Sequence, residues 1–235
     1  MKMNVTFVTA LLLPADRQTA RPLDIYFKEF EHLATAGIPL RVYLDEDYLG
    51  TIPGAERTRV NRDELPDSPV LPSNRKITKD TTDYMCIQAM KLDLVARAAK
   101  HCTTPYLAWI DFGVFHMMAD KPAAQERLRE IAVGTYPTDR LIAPGCWTAG
   151  DYGVDSVCWR FCGSFVLGHR DLFAPAYERQ QAIARSIAPK ITWEVNLWSY
   201  MDEFFHVYPA DHNDLLLRIP NNINARSGET VHGVL

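Results

Sequence analysis

The first fifty residues alternate between two patterns, and this alternation restricts the fold more than any other feature. Residues 4–12 form an apolar run with β-branched and aromatic side chains, which predicts a buried strand. Residues 22–37 predict a helix ending at Gly37, because apolar side chains recur at helical spacing: Leu23, Tyr26, Phe27, Phe30 and Leu33. A second strand is expected at 40–46. Strand, helix and strand in this order favour an α/β fold with a mostly parallel sheet flanked by helices.

The rest of the chain also contains both predicted helices and predicted strands. Helices are expected at 81–102, 122–133, about 170–187 and 192–205, and strands within 105–116, at 140–147 and at 161–169. The polar tail at 219–235 is either a disordered end or a flap that a ligand orders. We expect one domain spanning residues 1–235, which is a usual size for a single core.

An irregular excursion at about 50–80 interrupts this pattern. Four prolines break any long element there: Pro53, Pro66, Pro69 and Pro72. Its six positive and five negative side chains nearly balance. Long surface loops of this kind are often functional, so contacts to an anionic substrate compete with the simpler interpretation of a solvated loop.

Composition limits the possible partners and the compartment. The net charge is −4 and the pI about 6.0, which disfavours a broad nucleic-acid surface. Five cysteines without a CxxC pair indicate free thiols in a reducing compartment, with a zinc site as the weaker alternative. The N-terminal apolar stretch is interrupted by Asn4 and Thr6 and lacks an Ala-x-Ala site, and no window reaches about 20 apolar residues. We therefore expect a cytoplasmic protein without a transmembrane segment.

The segment "PYLAWIDFGVFH", residues 105–116, ends its apolar run on Asp111. Ligands of open α/β sheets bind beyond the carboxyl ends of strands, so this carboxylate could hold Mn²⁺ or Mg²⁺ at that edge. Such an ion would neutralise the diphosphate of a nucleotide sugar. The second acid of an Asp-x-Asp pair is missing, because Gly113 occupies that position, and His116 is the nearest other ligand. A purely structural strand-end aspartate is the alternative.

Two further segments could belong to the same site. Thr192 could cap a helix with Glu194 in its first turn, or else Trp193, Glu194 and Asn196 face an acceptor sugar, with Glu194 as general base. Gly163 and Ser164 at a strand start permit close backbone approach to a ligand, and strand packing with a turn is the alternative.

The sequence lacks the GxxxxGK[ST] loop, a GxGxxG turn opening a helix and a GxSxG elbow. The sequence therefore disfavours three enzyme classes that carry these motifs: nucleotide kinases, dinucleotide oxidoreductases and α/β-hydrolases. The histidines His116, His206, His212 and His232 are possible metal ligands. Taken singly, each is more typical of a surface histidine or of one whose ring nitrogens are hydrogen-bonded within the protein.

Several segments together are similar to one known family. They are "NVTFVTALL", "ARPLDIYFKEFEHLATAGIPLRVYLDE", "DYMCIQAMKLDLVARAA", "WIDFG", "GSFVLG" and "HVYPADHNDLL". On these residues the chain resembles the HtrL/YibB family, bacterial proteins regarded as sugar transferases with a GT-A-like fold. The "WIDFG" match at 109–113 is the most specific.

The resemblance implies a glycosyltransferase that uses a nucleoside-diphosphate sugar, such as a UDP-sugar, and builds surface polysaccharide or lipopolysaccharide. It implies that donor-binding residues lie within the matched segments: Thr9, Arg21, Tyr84, Lys91, Trp109, Gly113, Gly163 and Ser164. Arg21 and Lys91 would meet the diphosphate, Asp111 would act on the metal or the donor ribose, and Trp193 and Asn196 would contact the sugar or acceptor.

Two alternatives remain open at this stage. A glycosyltransferase could act on hydroxymethylated DNA bases, which the arginines near 57–62 and 75–79 suggest and the acidic net charge disfavours. A non-catalytic nucleotide-sugar-binding module would explain the missing second aspartate. The donor sugar, the stereochemical outcome and the oligomeric state do not follow from the sequence.

Overall fold

A computed structural model describes residues 2–15 and 22–220, and within them one sheet has seven strands in the order β3-β2-β1-β4-β6-β5-β7. The strands are β1 (Val5–Leu11), β2 (Leu40–Leu44), β3 (Glu56–Arg57), β4 (Tyr106–Ile110), β5 (Leu141–Gly145), β6 (Phe165–His169) and β7 (Phe205–Pro209). The helices are α1 (Leu23–Ala34), α2 (Thr82–Ala89), α3 (Lys91–Ala99), α4 (Lys121–Val133), α5 (Phe173–Ile187) and α6 (Glu194–Ser199).

The sheet is parallel except at β6, which runs antiparallel to both β4 and β5. This confirms the predicted α/β fold with a mostly parallel sheet flanked by helices. The antiparallel strand has one consequence for function. The carboxyl ends of β1, β4, β5 and β7 share an edge of the sheet with the beginning of β6.

Both faces of the sheet are covered by helices. On β1, Val5 and Phe7 belong to the core cluster shared with α1 and α4, whereas Val8 belongs to the cluster shared with α3 and α5. Strand β4 is buried along its whole length. A strand buried on both faces reads as a continuous apolar run, which explains why "YLAWI" lacks alternation.

The predicted helix at 81–102 is wrong in its continuity, because the chain forms two helices that meet at Met90. The carbonyl of Ala89 accepts a hydrogen bond from Gln180 Nε2 at 2.8 Å. A side chain of α5 thus takes the acceptor that a continuous helix would use internally. The break places Lys91 at the start of α3.

The predicted helix at 192–205 is also wrong in its extent. Helix α6 ends at Ser199, and residues from Phe205 form β7, an edge strand parallel to β5. Aromatic and β-branched side chains in "FFHVY" suit a strand, and pairing with β5 overrides the helical periodicity. Thr192 does not cap α6, because the cap position is Trp193 and the Thr192 hydroxyl donates to the carbonyl of Val154.

The remaining differences are smaller. The strands expected at 140–147 and 161–169 are shorter, and residues 161–164 form the turn that enters β6. The excursion at 50–80 is largely irregular but contributes β3, which pairs with the end of β2. Most of the tail predicted at 219–235 lies outside the described residues. Within the described ranges, no helix has the length and apolar character needed to cross a membrane.

Candidate active site at the carboxyl edge of the sheet

A cavity of about 480 Å³ opens at the edge where the parallel strands end. Its walls come from the turn after β1, the end of the 50–80 excursion, helix α2, the residues after β4, and the segments before β6 and α6. This is the position at which open α/β sheets bind ligands. Its size is ordinary for a small-molecule site.

Asp111 is the first residue after β4, and two neighbours fix its position. Its backbone N–H donates to the carbonyl of Ser164 at 3.0 Å, and its Oδ1 accepts from Trp109 Nε1 at 2.7 Å. The side chain is 33% exposed and lines the cavity. The carboxylate therefore has one oxygen anchored by the protein, while part of the group stays accessible to a ligand.

Lys91 lies at the centre of the site and is buried. Its Nζ is 2.8 Å from the carbonyl of Gly163, 2.8 Å from Glu194 Oε1 and 3.2 Å from Asp111 Oδ1. Burial lowers the pKa of this amine, but the two carboxylates outweigh that effect and leave the pKa above its ordinary value. The ammonium group is therefore charged at neutral pH.

Glu194 supplies the second carboxylate that the sequence lacks beside Asp111. It begins α6, where the helix dipole favours an acid, and its side chain is only 6% exposed. Gly163 makes the approach possible, because a Cβ at that position would overlap Glu194 Oε1. Two acids from distant parts of the chain thus contact one ammonium group.

A Mn²⁺ or Mg²⁺ ion at Asp111 stays a prediction, and it would take most of its ligands from substrate phosphates and water. Oδ1 of Asp111 and Oε1 of Glu194 are both engaged with Lys91, which leaves Oδ2 of Asp111 as the accessible carboxylate oxygen. Among the described residues, Asp111 belongs to no group of three acidic, histidine or cysteine side chains whose ligand atoms lie close enough together to hold one ion. His116 lines the cavity, but its Nδ1 is 2.5 Å from the carbonyl of Gly113. The positive charge at this point comes from Lys91.

Tyr84 and two lysines face the same cavity from α2 and the excursion. Burial, followed by the negative charges of Glu194 and Asp111, raises the pKa of Tyr84, so its phenol stays protonated and can donate a hydrogen bond. Lys79 Nζ lies 4.8 Å from the centre of the Tyr84 ring. Lys76 and Lys79 are exposed, and within the described part of the chain neither has a carboxylate within salt-bridge distance. These cations are available to an anionic ligand.

The cavity wall includes most of the residues predicted from the sequence: Tyr84, Lys91, Trp109, Asp111, Gly113, His116, Gly163, Ser164, Trp193 and Glu194. Thr9 is not among them, because it is buried within β1, where its hydroxyl has no hydrogen-bond partner among the described residues. Arg21 lies outside the described residues.

Asn196 is buried and does not line the cavity, in contrast to the acceptor contact expected from the sequence. Its Oδ1 accepts from the N–H of Cys158 at 2.7 Å, and its Nδ2 donates to the carbonyls of Gly153 and Ser156. The amide is fully used in holding the 153–158 loop against α6.

Asp80 and Trp159 are polar or aromatic residues of the wall that sequence reasoning did not place in the site. Asp80 is buried with Oδ1 lacking a hydrogen-bond partner among the described residues, but in the sequence it is one of many charges in the excursion. Trp159 precedes β6 by a few residues, and a lone tryptophan in a turn gives no sequence signal that distinguishes a site from packing.

Comparison with known proteins gives weak likenesses. No family model matches the chain, and no curated protein matches its sequence. Among solved structures, a glycosyltransferase involved in glycosylation of the major capsid of PBCV-1 is 10% identical with a TM-score of 0.48, over 87% of this chain and 81% of that one. CMP:2-keto-3-deoxy-manno-octonic acid synthetase complexed with CTP is 10% identical with a TM-score of 0.47, over 88% and 90%.

A third structure, a manganese complex of a Mycobacterium tuberculosis protein, is 9% identical with a TM-score of 0.42, over 90% of this chain and 91% of that one. At these identities and scores the likenesses carry no argument about activity.

Proposed function

We propose that the protein is a glycosyltransferase that moves a sugar from a nucleoside-diphosphate donor to a glycan acceptor. One observation carries this proposal. A buried lysine holds two carboxylates, one of them partly exposed, at the carboxyl edge of an α/β sheet. The cavity beside it is also lined by the exposed Lys76 and Lys79, which have no carboxylate partner among the described residues. The resemblance to the HtrL/YibB family, which rests on the sequence segments described above, implies the same class.

The rim lysines would bind the donor diphosphate. Lys76 and Lys79 are exposed point charges on the excursion, and both face the cavity. Lys91 is less suited to direct contact, because its ammonium group already binds Glu194, Asp111 and a backbone carbonyl. Lys76 and Lys79 of the excursion would therefore bind part of the diphosphate that the family resemblance assigns to Lys91. A contact between Arg21 and the diphosphate stays a prediction.

Asp111 is the group best placed to meet a substrate hydroxyl. Its Oδ1 is held by Trp109 and Lys91, and among the described residues nothing hydrogen-bonds to Oδ2. In the proposed step the acceptor oxygen attacks the anomeric carbon while its proton passes to Oδ2. The bond from that carbon to the diphosphate oxygen breaks, and its electron pair leaves with the nucleoside diphosphate. Buried Glu194 would position Lys91 instead of acting as the base.

The sugar-contacting wall would be aromatic. Trp193 and Trp159 both line the cavity, and tryptophan rings pack well against the apolar faces of sugars. The acceptor is proposed as a glycan of a surface polysaccharide or lipopolysaccharide on the family resemblance alone.

The two alternative functions have less support. The excursion arginines that suggested a DNA acceptor are in part already paired, since Arg57 contacts Glu46 and Arg62 binds Asp83 through two hydrogen bonds. The missing second aspartate suggested a non-catalytic module, but Glu194 brings a second carboxylate to the site through space.

A thermal-shift screen of nucleotide sugars, with and without Mn²⁺, tests the proposal. A ligand that binds the folded state raises Tm by linkage. We expect at least one nucleoside-diphosphate sugar to raise Tm without added metal, and we expect release of nucleoside diphosphate when a glycan acceptor is present.

The matched variants are Asp111→Asn and, as control, Asp171→Asn, an exposed aspartate just beyond β6 at the opposite edge of the sheet. Asp111→Asn should abolish the release of nucleoside diphosphate, and Asp171→Asn should leave it unchanged. The proposal fails if no nucleotide sugar shifts Tm with or without Mn²⁺, or if Asp111→Asn releases product as the unaltered protein does.

A further inference from the structure

Three potential metal ligands that the proposed transfer reaction does not use meet at the same edge of the sheet. Cys146 is the first residue after β5, Cys162 lies shortly before β6, and His212 follows β7. Because β5 and β7 are parallel and β6 is antiparallel to β5, these three points are brought together although the sequence separates them.

The distances between the three side chains are short. The sulfurs of Cys146 and Cys162 are 3.1 Å apart, and the Cys162 sulfur is 4.0 Å from Nδ1 of His212. One ligand atom from each residue lies within 4.8 Å of the other two. A tetrahedral Zn²⁺ with Zn–S bonds of about 2.3 Å separates two sulfurs by about 3.8 Å, so small side-chain rotations would admit the ion.

The backbone holds these side chains on a rigid support. The N–H of Cys162 donates to the carbonyl of Pro144 at 2.8 Å, and the N–H of Ala210 donates to the carbonyl of Gly145 at 3.1 Å. Gly145 permits the close approach of the segment before Cys162, because a Cβ there would overlap the carbonyl of Arg160. Cys146 and Cys162 are thus held at hydrogen-bonded strand ends, which keep a site geometry better than a free loop does, and His212 lies in the turn three residues beyond β7.

The neighbouring groups suit a metal-binding histidine. The carboxylate of Asp211 accepts a hydrogen bond from the His212 N–H and lies 3.4 Å from its Nδ1, and the Trp159 ring meets the imidazole edge to face at 4.9 Å. A carboxylate orients a ligating histidine and raises its basicity when it accepts from the ring nitrogen that does not bind the metal, so Asp211 at Nδ1 would support ligation through Nε2. Cys146 is exposed and Cys162 is buried, so the cluster has one open side.

We propose that Cys146, Cys162 and His212 bind a Zn²⁺ ion, with the fourth position open to solvent or to a ligand in the cavity. Two thiolates and an imidazole are soft or borderline donors, which select zinc over magnesium or manganese. His212 also lines the donor cavity, so the ion would lie at its margin. The site is separate from the Lys91 cluster and does not depend on the proposed transferase activity.

The experiment measures metal binding by the protein alone, without nucleotide or acceptor. The chain is purified under reducing conditions, freed of any histidine tag, stripped with a chelator and titrated with Zn²⁺ and with Co²⁺. We expect about one equivalent of tightly bound Zn²⁺ per chain, and sulfur-to-cobalt charge-transfer absorption with the tetrahedral Co²⁺ spectrum.

Cys146→Ser is the informative variant because Cys146 is exposed and its replacement should not disturb folding, which circular dichroism checks. It should weaken Zn²⁺ binding by more than the 10- to ~100-fold seen when outer-shell partners are lost. Cys102→Ser removes a half-buried thiol outside the cluster and should bind Zn²⁺ normally. Absence of stoichiometric binding, unchanged binding by Cys146→Ser, or a Cys146–Cys162 disulfide persisting under reducing conditions would each overturn the proposal.

Discussion

Nζ of Lys91 lies 2.8 Å from Oε1 of Glu194, and both side chains are nearly excluded from solvent, although 103 positions separate them in the sequence. The pair joins the start of α3 to the start of α6 across one face of the sheet. The single ammonium charge of Lys91 compensates both carboxylates, so loss of the lysine leaves the buried Glu194 without its counter-charge.

Lys91→Met should therefore be strongly destabilising. We expect the free energy of unfolding to fall by about 3–5 kcal/mol, since the substitution leaves Glu194 buried without its partner. Urea unfolding followed by circular dichroism measures this. The exposed pair of Lys190 with Asp155 provides the control, and Lys190→Met should leave the unfolding free energy nearly unchanged.

The double variant Lys91→Met/Glu194→Gln separates charge from packing. It should be more stable than Lys91→Met alone, because the uncompensated carboxylate is removed along with the lysine. If Lys91→Met unfolds at the same urea concentration as the unaltered protein, the buried cluster does not have the energetic role described here.

Gly163→Ala should damage the site more than the fold. The added methyl group would overlap Glu194 Oε1 and crowd Val195, so Glu194 must move and release Lys91. A displacement of about 1 Å can cost about 100-fold in rate, and we expect a loss of that size in nucleoside-diphosphate release.

Gly50→Ala is the matched control for that substitution, because nothing lies within 4 Å of a Cβ at Gly50. It should retain activity and stability. Full activity of Gly163→Ala would show that the position of Glu194 is unimportant for turnover.

Asn196→Ala tests whether Asn196 supports a loop or contacts the acceptor. Removing the amide leaves the N–H of Cys158 and the carbonyls of Gly153 and Ser156 without their partner. We expect the free energy of unfolding to fall by about 2–3 kcal/mol, whereas the exposed Asn213→Ala should have little effect. A raised KM for acceptor with unchanged stability would instead support the contact predicted from the sequence.

The ion pair of Asp83 with Arg62 should make stability sensitive to acid. Two hydrogen bonds from Arg62 lower the pKa of Asp83, and the N–H of Ala15 lowers it further. A carboxyl group whose pKa is lowered on folding stabilises the protein above its unfolded value of about 3.9, and this contribution is lost as the pH falls through the folded value.

We therefore expect Arg62→Gln to be destabilised near neutral pH and the difference from the unaltered protein to shrink below about pH 4. Urea unfolding of both proteins across this range gives the comparison. A difference that stays constant down to the acid limit would show that the pair contributes nothing through Asp83 ionisation.

The main elements of the fold were predictable because they are encoded locally. The apolar run of β1 and the helical spacing in α1 each lie within a few turns of chain, and Asp111 at the end of "YLAWI" is a local signal as well. Local patterns were misleading where a distant partner intervened. Gln180 interrupts the helix at Ala89, and β5 draws Phe205 to Pro209 into a strand.

Local sequence patterns are enough to predict the α/β class, the strand that ends on Asp111 and most of the candidate residues around it. Which of these residues contact one another depends on the tertiary fold. The insertion of antiparallel β6 between β4 and β5 sets Gly163 beside Lys91 and Glu194, and Cys162 beside Cys146. Periodicity indicates which side of an element is buried, whereas the distances between element ends depend on the order and direction of strands that pair far apart in the chain.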